Sequence, residues 1–236
     1  MASAPVHVDL SPLSMRFRTL PRFAQLIGGL LLYGASLALM VRGDLGLAPW
    51  SVFDQGVSER LGVSMGTANA VAGAAILLCW LPLRERPGVG TVANVLLVAI
   101  ALDATLAALP PAHALVVRLP LLVAGVALNA LATAIYVGAR LGPGPRDGLM
   151  TGLHARTGRS VRVVRASLEV GVLAAGWLLG GTAGPGTVLY AAAIGPLTQT
   201  CLRFTAVRGK RSLPLETSRI PRSSIDAVHL TPRGGP

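Results

Sequence analysis

The chain is short of charged residues. Asp, Glu, Lys and Arg together make up 13% of its 236 residues, whereas a soluble globular domain carries about 25%. Because charged side chains supply much of the surface that keeps a soluble domain in water, this shortage excludes an ordinary soluble protein. Hydrophobic residues account for 52%, so the composition indicates a protein that lies in a lipid bilayer.

Aromatic residues and cysteines are also scarce. Aromatic side chains make up 4% of the chain, and its two cysteines, Cys79 and Cys201, lie inside apolar runs. The apolar mass is therefore aliphatic side chains with Gly and Ala, which suits close packing of helices in lipid. Two isolated cysteines offer neither a disulfide framework nor a metal-ligand spacing, so we predict no metal site.

Acidic residues are about half as frequent as basic ones, 10 against 21, which leaves a net charge of +11. Most of the basic residues lie beside apolar spans, where anionic lipid headgroups are nearer partners than nucleic acid. The sequence also lacks the phosphate-binding loop, the HExxH zinc motif and the GxSxG nucleophile motif. We therefore predict a protein that binds membrane lipids, binds no nucleic acid, holds no cofactor and is not an enzyme.

Six apolar stretches are long enough to cross a bilayer, whose hydrocarbon core needs roughly 20 residues per helix. We predict transmembrane helices at 23–41, 65–83, 91–109, 117–139, 164–181 and 186–202. The predicted fold class is therefore all-α, a polytopic membrane protein with six transmembrane helices. Its parts are an N-terminal segment (1–22), a first membrane repeat (23–109), a second membrane repeat (117–203) and a tail predicted to be disordered (204–236).

A Gly- and Pro-rich segment occurs twice and defines the two membrane repeats. Leu45, Gly46, Pro49 and Gly62 belong to the first copy, and the matching residues 96 positions later are Leu141, Gly142, Pro145 and Gly158. Gly and Pro impose special backbone geometry, so shared composition explains these matches poorly. Each repeat holds three spans, an odd number, which inverts the second copy in the membrane. Inverted repeats are typical of secondary transporters.

The distribution of basic residues predicts the side of the membrane that each loop faces. With the N-terminus in the cytoplasm, the outer segments hold Arg42, Arg60 and Arg118, whereas the inner segments hold most of the other basic residues. Lys and Arg accumulate in cytoplasmic loops. We therefore predict that both termini are cytoplasmic.

Each Gly/Pro segment predicts a break in the chain, a short helix and a turn. Pro49 and Pro145 suit the first turn of a helix, and Gly62 and Gly158 suit its end. Two interpretations stay open: the short helices lie in the membrane interface, or they re-enter the membrane and point their N-termini toward a central site. In the second, the gating residues are Pro49, Trp50, Pro145, Arg146 and Asp147.

Polar side chains inside the predicted spans mark a candidate substrate or ion site, because such groups are costly in lipid. The candidates are Asp103, Asn94, Asn129, Gln199, Glu169 and Arg165. Arg165 and Glu169 lie four residues apart on one helix face, which suits an ion pair. Structural roles also stay open, since amides form hydrogen bonds between helices and a charged pair suits the cytoplasmic end of a span.

Two of these segments carry a family resemblance. The stretches Leu45-Gly46-Leu47-Ala48-Pro49-Trp50 and Gly142-Pro143-Gly144-Pro145-Arg146-Asp147-Gly148 resemble the signature segments of the YczE/YyaS/YitT-type bacterial integral membrane proteins. The pair Arg165 and Glu169 fits the same pattern, and the resemblance covers about residues 18–203. It implies a multi-pass protein of the bacterial plasma membrane and no established substrate.

Two functions follow from these expectations. The first is a small secondary transporter or permease whose central site, between the inverted repeats, takes a small molecule or an ion. The second is a non-transporting membrane scaffold or regulator that binds lipid or a protein through its basic cytoplasmic face. A membrane-embedded enzyme is a weaker third hypothesis, and a second copy of the chain stays open as a partner.

Overall fold

Residues 19–207 are described by the computed structural model of the protein, and this part of the chain forms eight α-helices and no β-strand. The helices are α1 (Thr19–Gly43), α2 (Pro49–Leu61), α3 (Met65–Leu83), α4 (Val89–Ala108), α5 (Leu115–Gly138), α6 (Pro145–Thr157), α7 (Val161–Leu178) and α8 (Pro185–Thr205). The predicted N-terminal segment and tail lie mostly outside the described residues. Only residues 19–22, in α1, and 204–207, at the end of α8, fall within them.

The six long helices, α1, α3, α4, α5, α7 and α8, coincide with the six apolar stretches. Four of them, α1, α3, α4 and α5, are long and apolar enough to cross a membrane. The other two are more polar, because α7 carries Arg162, Arg165 and Glu169, and α8 carries Thr198, Gln199 and Arg203. The chain is therefore a helical membrane protein.

The two short helices begin and end at the predicted residues. Pro49 and Pro145 occupy the first position of α2 and α6, where the missing N–H of proline costs no helical hydrogen bond. Gly62 and Gly158 end the helices in the left-handed conformation, with φ of 65° and 66°. Glycine has no Cβ and so adopts this conformation without strain.

Helices α1 and α5 form the centre of the molecule, where small residues allow a close approach. A Cβ at Gly29 of α1 would lie 2.7 Å from the backbone nitrogen of Tyr136, and one at Gly125 of α5 would lie 2.6 Å from Met40. Packing between helices in lipid depends on such contacts, since lipid tails are as apolar as the side chains themselves. The buried residues of this core include Leu26, Leu30, Leu37, Leu102 and Val126.

The remaining contacts mostly occur in two copies that are 96 residues apart. Helix α1 packs on α4 as α5 packs on α8, and α2 packs on α7 as α6 packs on α3. The loops repeat the pattern, because the Gly90 amide donates to the Leu141 carbonyl at 3.0 Å and the Gly186 amide donates to the Leu45 carbonyl at 2.8 Å. One pair differs: α3 packs along α4, and no comparable contact joins α7 to α8.

The largest fully buried side chain, Trp80 of α3, packs against α6. Its indole N–H donates to the Pro145 carbonyl at 3.1 Å, and a Cβ at Gly148 would lie 2.0 Å from the indole ring. The contact between α3 and α6 therefore requires a residue without a side chain at position 148.

We expect Gly148→Ala to lower the free energy of unfolding by roughly 1–3 kcal/mol, because the added methyl group must displace a rigid, buried ring. Thermal unfolding of the detergent-solubilised protein measures the change. The matched control is Gly171→Ala in α7, where a Cβ meets nothing within 4 Å. Equal melting temperatures for the two variants would contradict the packing described.

Candidate functional site

A cavity of about 250 Å³ lies beside the short helices, between α7 and α8. Residues of both halves of the chain line it, including Pro49 and Trp50 at the start of α2 and Arg146 and Asp147 at the start of α6. The chain has three tyrosines, and all of them line this cavity: Tyr33, Tyr136 and Tyr190. The main cavity, as we call it, thus concentrates aromatic side chains that are rare elsewhere.

A second cavity of about 70 Å³ adjoins the first. Both cavities are lined by Tyr33, Tyr136, Arg146 and Asp147, so these four side chains lie between them. The walls of the small cavity also include Asn69 of α3, Asn94 of α4 and Pro145 of α6. The start of α6 therefore separates a larger space beside α7 and α8 from a smaller space beside α3 and α4.

An ion pair joins the two short helices. The Arg146 guanidinium of α6 contacts the Asp54 carboxylate of α2 at 2.9 Å, and Asp54 is 1% exposed. The same carboxylate oxygen accepts a hydrogen bond of 2.7 Å from the side-chain amide of Asn69. Arg146 also lies over the Trp50 ring, 4.9 Å from its centroid, in a cation–π contact. The N-terminal halves of α2 and α6 are thus held together by an ion pair and a cation–π contact.

Asp54 is absent from the predicted site. It lies in the first Gly/Pro segment, four residues after Trp50, so the two side chains share one face of α2. This spacing from the predicted gating residue Trp50 is the sequence signal that could have identified Asp54 as a site residue. Its partner Arg146 lies on α6, 92 positions later in the sequence. Spacing along α2 alone does not predict a contact with a residue of another helix.

Asp147, at the third position of α6, is the carboxylate that both cavities share. The Tyr136 hydroxyl donates a hydrogen bond of 3.4 Å to the Asp147 carboxylate. Among residues 19–207, no basic side chain forms an ion pair with Asp147. Because Asp147 lines both cavities, its accessible surface faces them.

Arg165 and Glu169 form an ion pair on α7, with 2.8 Å between Nε and Oε1. Both line the main cavity, as does Gln199 of α8. The pair is the one that their spacing of four residues predicts. Together with the gating residues, these side chains bring much of the predicted site to one cavity.

The other predicted site residues lie elsewhere. Asn94 lines only the small cavity. Asn129 is fully buried behind the main cavity, where it donates to the Ser36 hydroxyl at 2.8 Å and accepts from the Tyr190 hydroxyl at 3.0 Å. Asn129 therefore orients Tyr190, which lines the main cavity.

Asp103 lines neither cavity. Its carboxylate accepts hydrogen bonds from the Gly66 amide at 2.7 Å and the Ser64 hydroxyl at 2.5 Å, both at the N-terminus of α3. Free amides at a helix N-terminus attract a negative charge. Asp103 thus caps α3 and fastens it to α4.

We expect Asp54→Asn and Arg146→Gln each to lower the free energy of unfolding by about 3–5 kcal/mol, because each leaves a buried charge without its partner. The double variant should lose less than the sum of the two, which a double-mutant cycle from denaturation measurements detects. The control is Asp44→Asn. Asp44 forms an ion pair with Arg118, and this pair is more exposed, since the Asp44 side chain is 60% exposed. That change should cost at most about 1 kcal/mol. Additive effects at positions 54 and 146 would contradict the pairing.

Comparison with known proteins agrees with this structure. Residues 20–203 match the family of unknown function DUF6198. A Haemophilus influenzae protein, named only as an uncharacterized protein, is 39% identical over 181 residues, which cover 77% of this chain and 83% of that protein. The uncharacterized membrane protein YczE of Bacillus subtilis is 32% identical over 186 residues, 78% of this chain and 85% of that protein. No solved structure matches the chain. The resemblance read from the Gly/Pro segments is thus confirmed, and the chain belongs to the DUF6198 family of YczE-type membrane proteins.

Proposed function

We propose that this protein is a small secondary transporter of the bacterial plasma membrane rather than an enzyme. In this proposal its six long helices span the membrane as two inverted three-helix repeats around a central site. The contact between α2 and α6 is the observation that carries the proposal. Each short helix has 13 residues, a length of about 20 Å.

The position of that contact favours re-entrant helices over interfacial ones. Inverted repeats bring α2 and α6 in from opposite faces of a hydrocarbon core about 30 Å thick. Two helices that stayed in opposite interfaces would be separated by that thickness, yet Asp54 and Arg146 are 2.9 Å apart. Broken backbone at membrane depth is tolerated where it lines a cavity, and Pro49 and Trp50 line the main cavity.

A difference between the halves supports alternating access. In the first half α3 packs along α4, where Asp103 fastens the two helices. In the second half the main cavity occupies the space between α7 and α8. A transporter built from two inverted repeats exposes its site on one side while the equivalent path on the other side is closed. We infer that closing α7 on α8, with release of α3 from α4, completes the cycle.

A membrane scaffold or regulator is the second candidate. Arg156, Arg159 and Arg162 are exposed around the turn between α6 and α7, where they suit anionic headgroups or an acidic partner. In that case charge changes at these arginines would alter function more than changes at the cavity. The transport measurement below separates the two candidates.

We expect purified protein in liposomes to take up at least one of three radiolabelled probes, namely choline, alanine and lactate, which differ in charge. Gly195→Trp should abolish that uptake, because Gly195 lines the main cavity and a Cβ there meets nothing within 4 Å. The control is Gly28→Trp on the exposed face of α1, where the space is also open. Uptake no higher than in empty liposomes would favour the scaffold, and equal uptake by the two variants would contradict the role of the main cavity in transport.

We expect residues 63 and 159, which are equivalent in the two repeats, to face opposite sides of the membrane. Val63→Cys and Arg159→Cys, each in a chain with Cys79→Ser and Cys201→Ser, are labelled in cells with a membrane-impermeant maleimide. Because both termini are predicted to be cytoplasmic, position 63 should react in intact cells and position 159 only after permeabilisation. Reaction of both positions in intact cells would contradict the inverted arrangement.

A further inference from the structure

We propose that the main cavity binds a small organic ammonium ion, with Asp147 as its counter-charge. This inference rests on the proposed function, since it names the class of substrate for the same site. It depends on three properties of the cavity: the pairing of its charges, its aromatic wall and its volume.

The charges around the main cavity leave one carboxylate, that of Asp147, without an ion-pair partner. The Arg146 guanidinium contacts Asp54 at 2.9 Å, and the Arg165 guanidinium contacts Glu169 at 2.8 Å. Among residues 19–207, no basic side chain forms an ion pair with Asp147. Two guanidinium groups therefore face three carboxylates, which leaves a net negative charge when all of them are ionised.

The sign of that charge selects the ligand. A carboxylate that faces a cavity without an ion-pair partner attracts an opposite charge, and a ligand with a single positive charge would neutralise it. An anionic ligand would add a second uncompensated negative charge, because both guanidinium groups already have carboxylate partners. A zwitterion would leave the net charge unchanged. The cavity is therefore matched to a cation.

The aromatic wall favours an organic cation over a bare metal ion. The three tyrosines and Trp50 line the cavity, and the Tyr33 and Tyr136 rings meet edge to face with centroids 5.8 Å apart. Aromatic faces bind ammonium groups through cation–π contacts, whereas hard metal ions require several oxygen ligands. The guanidinium of Arg146 over Trp50 is a cation–π contact already present in this wall.

The volume of the main cavity suits a small ligand. A cavity of about 250 Å³ holds the equivalent of roughly eight water molecules, at about 30 Å³ each. An ammonium ion with a few carbon atoms fits this space. We therefore choose choline as the probe.

The test compares four molecules of nearly the same shape that differ in charge. They are choline, its uncharged analogue 3,3-dimethylbutan-1-ol, the zwitterion glycine betaine and the anion 3,3-dimethylbutanoate. Binding to the full-length protein in lipid nanodiscs is measured by calorimetry, with intrinsic tryptophan fluorescence as a second readout. We expect choline to bind at least about tenfold more tightly than each of the other three. Equal binding of choline and the alcohol, or tightest binding of the anion, would overturn the proposal.

Two variants locate the binding charge. Asp147→Asn keeps the shape of the side chain and should abolish the preference for choline, so that choline and the alcohol bind with about equal affinity. Glu59→Gln, an exposed carboxylate on α2 away from the cavity, should leave that preference unchanged. An undiminished preference in Asp147→Asn would overturn the assignment. If Asp147→Asn aggregates, the four molecules compared on the native protein still decide the ligand class.

The binding measurement is independent of transport, so the two proposals fail separately. Selective choline binding without uptake of any probe would retain the ammonium site and reject the transporter. Uptake of alanine or lactate that Gly195→Trp blocks, with no preference for choline in binding, would retain the transporter and reject the ammonium site.

Discussion

The ion pair between Asp54 and Arg146 is the interaction on which the site depends. It joins two short helices that belong to different halves of the chain, and its Arg146 side chain lines the main cavity. A buried pair contributes little net stability when its desolvation is counted, but breaking it is costly. Its value here is positional: it keeps Trp50 and Arg146 together, and it places Asp147 between the two cavities.

The contact between α2 and α6 depends on close backbone approach between the surrounding helices. Glycines at 29 and 125 bring α1 and α5 together, and Gly148 leaves room for the indole of Trp80 between α3 and α6. In lipid such contacts replace the hydrophobic effect as the source of helix association. The helices around the short segments are thus packed through backbone surfaces, while the cavity beside α7 and α8 keeps larger side chains and open space.

The charged side chains of these helices differ in whether they have a partner. Asp54 pairs with Arg146 and Glu169 pairs with Arg165, and Asp103 accepts hydrogen bonds from the amide and hydroxyl groups at the start of α3. Asp147 differs because it faces both cavities and forms no ion pair within the described helices. This difference in pairing is the reason that the proposed ligand site is assigned to Asp147.

The sequence by itself determined the helical elements, because helix ends depend on local chemistry. Pro49, Pro145, Gly62 and Gly158 mark both short helices, and the predicted span 65–83 coincides with α3. Only the tertiary structure decided which helix faces meet. It paired Asp54 with Arg146, moved Asp103 from the predicted site to the cap of α3 and placed Asn129 behind the wall. The physical reason is that periodicity reports the face of one helix, whereas a site requires the relative rotation of several helices, which long-range packing sets.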